Sequence, residues 1–408
     1  MSNRARILSI DILRGLDVLL MLFVNEVAGV RGAPAFLLHA PSNADAMTLT
    51  DVVFPAFLFI TGLSIPFALG RWLENGQTRA EVWRHVLART TALLVIGVLM
   101  VNVERGGSGG FMPLHWWNVL ATVGMALVWL APGGRAGERL RRRLRFAGVS
   151  LLLGLALIYR AEGGSGLIQL RPHWWGILGL IGWAYAVAAS AWLVAGNRVA
   201  VHVGLVALLY CLYFADEAGE VGALVALRPF VHVGRALGSH AAVTLSGTLL
   251  GALLVHHQRE GSRAARFVWV ALGVATALAG AGLLLHSLHA LHPAFWINKV
   301  RATAPWCLLS AAFTALAWAA LFLLVDVRGW RRWPALVTTA GENALIAYLL
   351  APFFLSLFAA SAPLFGGTDP YGALGAYTWT GLVRSAIFAW FVVCITGVMR
   401  RAGIRLHL

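Results

Sequence analysis

Twelve predominantly apolar stretches follow one another along this 408-residue chain. They lie at about 8–30, 51–70, 86–103, 113–131, 146–160, 173–195, 199–215, 239–256, 267–286, 304–325, 335–358 and 377–399. A helix rises 1.5 Å per residue, so about 20 apolar residues cross a hydrocarbon core of about 30 Å. Barrel strands need only about 9–11 residues, and lipid tolerates no other backbone arrangement. The pattern therefore predicts an all-α polytopic membrane helix bundle with about 12 transmembrane helices, in which residues 1–408 form a single transmembrane domain. The first stretch resembles a signal peptide only at its basic start. Asp11, Arg14 and Asp17 interrupt it and no small-residue cleavage site follows, so a retained first helix is expected.

Composition reinforces this picture. Hydrophobic residues make up 59% of the chain and charged residues 12%, against roughly 25% charged in soluble domains. Soluble, disordered and collagen-like classes are excluded. The formal net charge is +15, which in a soluble protein would suggest nucleic acid. Here the distribution points to the bilayer instead. With both termini cytoplasmic, 22 of the 32 basic residues fall on the inner side, including Arg4, Arg6, Arg332 and the run from Arg135 to Arg145. Eight fall outside, and Arg14 and Arg384 lie within helices. That asymmetry is the positive-inside pattern and predicts a multi-pass membrane protein with both termini cytoplasmic. Cys211, Cys307 and Cys394 each sit inside an apolar run, so no disulfide framework is implied.

A two-helix hairpin is repeated at about 86–131 and 144–195. ERGGSGGFMPLHWW at 104–117 and EGGSGLIQLRPHWW at 162–175 share an acidic residue, a GGSG turn and a His-Trp-Trp triplet expected to open a helix. Trp116, Trp117, Trp174 and Trp175 belong either to the interfacial aromatic belt or to a surface that stacks on a sugar ring, which makes them candidate substrate contacts. His286, His289 and His292 have the spacing of metal ligands. With no carboxylate or cysteine nearby in sequence, no metal is expected.

Intramembrane charge is costly and normally faces the protein interior or a wet cavity. Asp11 and Arg14 are one turn apart. Asn25 lies about 21 Å further along the same face. Asp11, Arg14, Asp17 and Arg384 are expected to be structural intramembrane charges, with Asp17 a candidate partner for Arg384 by charge alone. The first outer loop holds one histidine, His39, and Asp51 opens the second helix. A histidine suits a proton leaving an amine or hydroxyl near pH 7, and Asp51 could favour the helix N-terminus or orient His39.

These residues also carry a resemblance. R-I-L-S-I-D-I-L-R-G at 6–15, Met21 to Asn25, His39-Ala40 and LTDVVFPAFLFITG at 49–62 are similar to the heparan-α-glucosaminide N-acetyltransferase family and its bacterial homologues. Further on, Asn298-Lys299, VDVRG at 325–329 and GENA at 341–344 resemble later motifs of that family. The chain departs from the family pattern in three places. His39 and Asp51 are 12 positions apart where the family has 10, Pro41-Ser42-Asn43 stands where the family has Trp-Asn-Gly, and the family's Gln-Arg pair is absent near Gly176–Leu180.

The resemblance implies a core of about ten helices, extended here by the duplicated hairpin. It implies a membrane-embedded acetyltransferase that takes acetyl-CoA from the cytosolic side and delivers the acetyl group to an amino sugar or related glycan on the outer face. His39, Asn25 and Asp51 would be catalytic, with His39 as general base or acetyl carrier. Asn298 and Lys299 would join the tryptophans as substrate contacts. The implied partners are the lipid bilayer, acyl-CoA and a glycan acceptor; a homodimer is left open. The alternatives from the residues alone are a secondary transporter of a small solute such as a sugar, which intramembrane charges and glycine-rich spans fit, and a non-catalytic scaffold, which those charges disfavour.

Overall fold

The computed structural model describes residues 7–131, 137–261, 263–331 and 335–406. Arg4, Arg6, Arg135 and Arg332 of the inner basic set lie outside the described residues. The helices are α1 Leu8–Val27, α2 Leu49–Glu74, α3 Arg79–Glu104, α4 Leu114–Trp129, α5 Glu138–Ile158, α6 Gly176–Ala195, α7 Val199–Ala218 and α8 Gly222–Leu227, followed by α9 His240–Arg259, α10 Ala264–His286, α11 Ala304–Leu321, α12 Ala335–Glu342, α13 Ala344–Ser361, α14 Pro370–Ala373 and α15 Thr378–Arg401. A two-residue pairing joins β1 Leu130–Ala131 to β2 Arg405–Leu406. Each of the twelve apolar stretches is helical. Among the described residues nine helices are long and apolar enough to cross a membrane. The other three differ for visible reasons. α1 carries Asp11, Arg14 and Asp17, α4 has only 16 residues, and α5 opens on a run of arginines. The stretch expected as one helix at 335–358 is broken at Asn343, which leaves helical backbone geometry between α12 and α13.

The bundle is built around α2 and α9, the most buried of the nine. Both are apolar on nearly all sides, and they approach backbone to backbone. A Cβ on Gly62 would strike the Thr244 carbonyl, and one on Gly247 would strike the Phe59 carbonyl. Close contact between small residues is how helices gain packing energy where lipid removes the hydrophobic drive. Thr248 adds a hydroxyl bond to the Gly62 carbonyl at 3.2 Å. α7, α10 and α13 keep most of their surface outward, as lipid-facing helices do.

α1 is fixed from outside itself. Its N-cap position is Ile7, which offers no side-chain acceptor. Asp326 replaces it, accepting the Leu8 and Ser9 N–H groups at 3.2 and 3.1 Å. A carboxylate at a helix N-terminus meets both the orphan donors and the positive end of the dipole. The VDVRG segment therefore has a structural use. So does GENA: Gly341 packs against the Asp11 carbonyl with no room for a Cβ, Glu342 pairs with Arg400 at 2.6 Å, and Asn343 donates to the Ile404 carbonyl at 3.2 Å.

The helices of the repeated hairpins pair crosswise, α3 with α6 and α4 with α5. Their outer loops are tied together. Ser108 and Arg160 exchange backbone bonds of 2.8 and 2.9 Å. Asn102 spans to the Arg171 backbone through both amide atoms, and the Tyr159 hydroxyl donates to the Asn102 carbonyl at 2.8 Å. The two His-Trp-Trp triplets do not adopt one conformation. His115 to Trp117 lie in the first turn of α4. His173 to Trp175 precede α6, with His173 and Trp175 at φ 48° and 72°, so the second triplet does not open its helix. Pro172 immediately before His173 disfavours helical geometry on its N-terminal side, and Gly176 delays the helix start.

Candidate active site

The loop between α1 and α2, the first turn of α2 and the segment between α10 and α11 meet at His39. α2 starts at Leu49, with Thr48 at the N-cap and Asp51 three residues on. Asp51 Oδ2 accepts the Thr48 N–H at 3.0 Å, half of a capping box. The same oxygen accepts the Ala40 N–H at 3.1 Å, which folds the preceding loop back over the helix end. Its other oxygen meets His39 Nδ1 at 2.8 Å. The Asp51 side chain is 1% exposed and that of His39 is 43% exposed. The buried carboxylate thus orients a histidine whose other edge stays reachable.

That contact sets the tautomer. An ionised carboxylate only accepts, so Nδ1 carries the proton and Nε2 presents a lone pair. A neutral imidazole held this way is the general-base arrangement, with the carboxylate stabilising the imidazolium that forms. Thr48 and Thr50 hydroxyls donate to the Leu38 and Leu37 carbonyls, both at 2.7 Å, and complete the frame of the loop.

Lys299 Nζ lies 3.0 Å from both ring nitrogens of His39 and 3.9 Å from Asp51 Oδ1. Burial pulls its amine below the ordinary lysine range, and the Asp51 charge opposes that shift. At equal distance from both ring nitrogens, the Lys299 nitrogen lies over the face of the imidazole, off the in-plane direction of the Nε2 lone pair. Together His39 and Lys299 line a cavity of about 120 Å³ walled by Pro41, Ala46, Asn298 and Val300.

The neighbouring residue, Asn298, was expected to touch substrate and does not have the free atoms to do so. It is 2% exposed. Its Nδ2 donates to the Ser42 and Ala44 carbonyls, both at 2.9 Å, and its Oδ1 accepts the Arg301 N–H at 3.0 Å. Asn298 is a brace that clamps the His39 loop to the 297–303 segment. Asp45 reinforces it by accepting the Ile297 N–H at 2.7 Å.

Asn25 occupies the last turn of α1 and is exposed. Among the described residues it has no hydrogen-bond partner and does not line the His39 cavity. Its neighbour Glu26 anchors that turn. Tyr371 donates its hydroxyl to Glu26, and Arg384 lies over the Tyr371 ring at 4.5 Å and 3.9 Å from the Glu26 carboxylate. The sequence expectation that Asp17 pairs with Arg384 is therefore corrected. Arg384 enters near the outer end of α15 and meets the outer end of α1, whereas Asp17 lies deeper, 6% exposed, with one carboxylate oxygen unpartnered among the described residues. Arg14 does pair with Asp11, at 3.3 Å, and also reaches Ser64 on α2 and the Gly341 carbonyl.

The tryptophans divide. Trp116 is 45% exposed and Trp174 40% exposed, and both stay available. Trp117 is fully buried, donates to the Leu155 carbonyl at 2.9 Å and packs on Tyr159. It holds α4 to α5 and cannot stack on a sugar. Trp175 donates to the Phe230 carbonyl at 2.8 Å and meets Trp183 edge-on. His286 and His289 stack with ring centres 5.0 Å apart. Among the described residues no group of three His, Cys, Asp or Glu side chains is placed to hold a metal ion.

A second, larger cavity of about 360 Å³ opens between α1, α2, α3, α6 and α12–α13. Arg14, Ser64, Trp72, Arg89 and Tyr185 supply its polar and aromatic lining, and Met21 and Phe57 its apolar wall. This size falls in the range of small-molecule and cofactor sites, about 300–1,000 Å³. No single segment announces it, because its residues come from six separate stretches. The outer cluster was easier to foresee: His39 and Asp51 flank one short loop.

Residues 6–128 match the family profile described as heparan-alpha-glucosaminide N-acetyltransferase, catalytic. Over 101 residues, 25% of this chain, the sequence is 33% identical to the heparan-alpha-glucosaminide N-acetyltransferase of Mus musculus, of which the match covers 15%. Over 97 residues it is 34% identical to the Homo sapiens protein of the same name, covering 14% of that relative and 24% of this chain. Through residues 6–128, the segment that holds Asn25, His39 and Asp51, this chain is a relative of the heparan-alpha-glucosaminide N-acetyltransferase family.

Proposed function

We propose that this protein is a membrane-embedded acyltransferase that moves an acetyl group from acetyl-CoA on the cytosolic side to a glycan acceptor on the outer face. The chain crosses a bacterial inner membrane twelve times, with both termini cytoplasmic. The observation that carries the reading is the His39–Asp51 pair at 2.8 Å, open to a cavity on one side and lying within the segment that matches the family's catalytic profile.

In the proposed reaction His39 Nε2 takes the proton of the acceptor amine or hydroxyl. The freed lone pair attacks the acetyl carbonyl, the C–S bond breaks, and His39 returns its proton to the departing CoA thiolate. Asp51 holds the ring and balances the transient imidazolium. Asn25, one turn beyond Met21 of the larger cavity, donates to the oxyanion as it forms. That cavity receives the acyl donor, with Arg14 and Arg89 on its polar side. The same geometry suits His39 as a covalent acetyl carrier, with Nε2 as nucleophile.

The test uses purified full-length protein in detergent. Acetyl-CoA binding is measured by calorimetry, and CoA thiol release is followed on adding acceptor sugars. His39→Ala is expected to bind acetyl-CoA as wild type does and to lose about 10²–10⁴-fold in turnover. A well-folded wild type that binds no acyl-CoA sinks the proposal. Acetylated protein trapped in the wild type and absent in His39→Ala identifies the carrier route.

A further inference from the structure

α5 begins with a run of charge that neither cavity uses. Five of its first eight residues are arginine: Arg139, Arg141, Arg142, Arg143 and Arg145. All five are exposed. Arg142 lies 3.6 Å from Glu138, with both side chains open to the surroundings, and the other four have no carboxylate at ion-pair distance among the described residues. The arginines also stand at the end of the helix where the dipole repels cations. Like charges three and four residues apart repel one another as well. A sided topology accounts for basic residues near a membrane helix, but it does not require them to be wound into the helix itself. An anion from outside the protein relieves both repulsions.

The depth of this run follows from the length of helix beyond it. From Phe146 to Ile158 α5 is uncharged for 13 residues, a rise of about 20 Å. Its partner α4 has 16 residues, about 24 Å. A hydrocarbon core is about 30 Å thick. Both helices of this hairpin are short, so the arginines are drawn up to headgroup depth, where their long side chains reach the phosphates.

Cations and hydrocarbon share one face of the helix. Arg139, Arg142 and Arg143 stand at helical spacing from Phe146, and the line continues through Val149 and Leu153. Those three apolar side chains are 75%, 46% and 61% exposed. The opposite side of α5 is the packed one. A Cβ on Gly148 would strike the Gly124 carbonyl of α4, and Leu155 is buried. A free phosphate or a nucleotide would use the arginines alone. A phospholipid uses the whole stripe, with its phosphate on the guanidinium forks and its acyl chains along the apolar side chains.

We propose that Arg139, Arg142 and Arg143 form a binding site for an anionic phospholipid, which fixes the depth of the α4–α5 hairpin in the bilayer. The headgroup phosphate takes the guanidinium groups. A zwitterionic lipid is discriminated against because its choline ammonium is repelled by the same arginines. The site lies apart from both cavities, since none of the three arginines lines either, and it does not depend on acetyl transfer.

In the experiment, full-length protein in detergent is mixed with equal amounts of phosphatidylglycerol and phosphatidylcholine carrying the same acyl chains. Native mass spectrometry then counts the lipid that each molecule keeps. The wild type is expected to keep phosphatidylglycerol by about tenfold or more over phosphatidylcholine. Arg142→Gln alone, which leaves the other arginines to hold the topology, should lose about fivefold of that retention, and Arg139→Gln, Arg142→Gln and Arg143→Gln combined about 10²-fold. Arg79→Gln, Arg84→Gln and Arg263→Gln combined remove the same charge from other exposed positions and should leave retention unchanged. Equal retention of the two lipids by the wild type, or equal losses in the two triple variants, overturns the inference. Release of the bound lipid by excess CoA or inorganic phosphate at constant ionic strength also overturns it, since the arginines would then serve a free phosphate.

Discussion

Two clusters in the loops of the bundle use the same residue types and do opposite things. One is Asp51 with His39 and Lys299. The other is Asp216 at the end of α7, with Arg228 and His232. Both aspartates are buried, at 1% and 0% side-chain exposure. Around Asp216 the carboxylate is spent on Arg228 Nε at 3.0 Å and on the Gly234 N–H at 2.7 Å. His232 is left at 3.6 Å, with no hydrogen-bond partner for its Nδ1. That cluster locks a loop onto the start of α9. Around Asp51 the histidine takes the carboxylate directly, and its far edge opens into a cavity. An aspartate, a histidine and a cation make no site by themselves. What matters is which of them the carboxylate holds and whether the remaining ring nitrogen can meet a ligand.

Four substitutions test that contrast. The largest effect is expected for Asp51→Asn, with turnover falling about 10²–10⁴-fold while acetyl-CoA binding persists. An amide donor opposite Nδ1 would turn the imidazole toward the wrong tautomer. Activity near wild type in steady-state thiol release would remove Asp51 from the chemistry. Next comes Arg228→Ala, which leaves the buried Asp216 charge without its main partner. A loss of about 3–5 kcal/mol is expected, read as a lowered thermal midpoint, while turnover per folded molecule holds. A selective loss of turnover instead would make the second cluster functional.

Asn298→Ala frees the His39 loop and leaves the Ser42 and Ala44 carbonyls unpaired. A stability cost of about 1–3 kcal/mol is expected, with a smaller fall in turnover than at Asp51. Equal losses at both positions would show that the brace and the base cannot be separated. The smallest effect concerns His232. Burial first, then Arg235, lowers its pKa below the ordinary 6.5. The folded state then binds this proton less readily than the unfolded one. Its contribution is neutral above pH 6.5 and becomes destabilising as pH falls through 6.5 toward the lowered folded pKa. The thermal midpoint should decline over that acidic window, and His232→Gln should flatten the decline. An unchanged slope would place the titration elsewhere.

Lys299 is legible in the sequence as part of the Asn298-Lys299 pair, but its place beside His39 is not. Its contact with His39 spans 260 positions. The same holds for Asp326, which caps α1 from more than 300 residues away. Short-range signals were readable: Asp51 at a helix start, and Asp11 with Arg14 one turn apart. Long-range charge matching was not. Asp17 was the candidate partner for Arg384 by charge alone, and charge alone does not say at what depth α15 crosses α1. The tryptophans failed for a related reason. Trp116 and Trp117 are adjacent, but successive helical residues point about 100° apart, so one is exposed and the other joins the core.

The sequence by itself determined the all-helical membrane class, the approximate places of the helices, and the histidine of the first loop with the carboxylate at the start of the second helix. These follow from hydrophobic run length and local hydrogen bonding, which involve only neighbours along the chain. Only the tertiary structure decided which cation meets His39, that Asn298 is a brace, and which residues enclose the larger cavity. Those outcomes depend on the depth and rotation at which separate helices pack, set by close glycine contacts such as Gly62 with Thr244 and Gly247 with Phe59, and no local pattern encodes them.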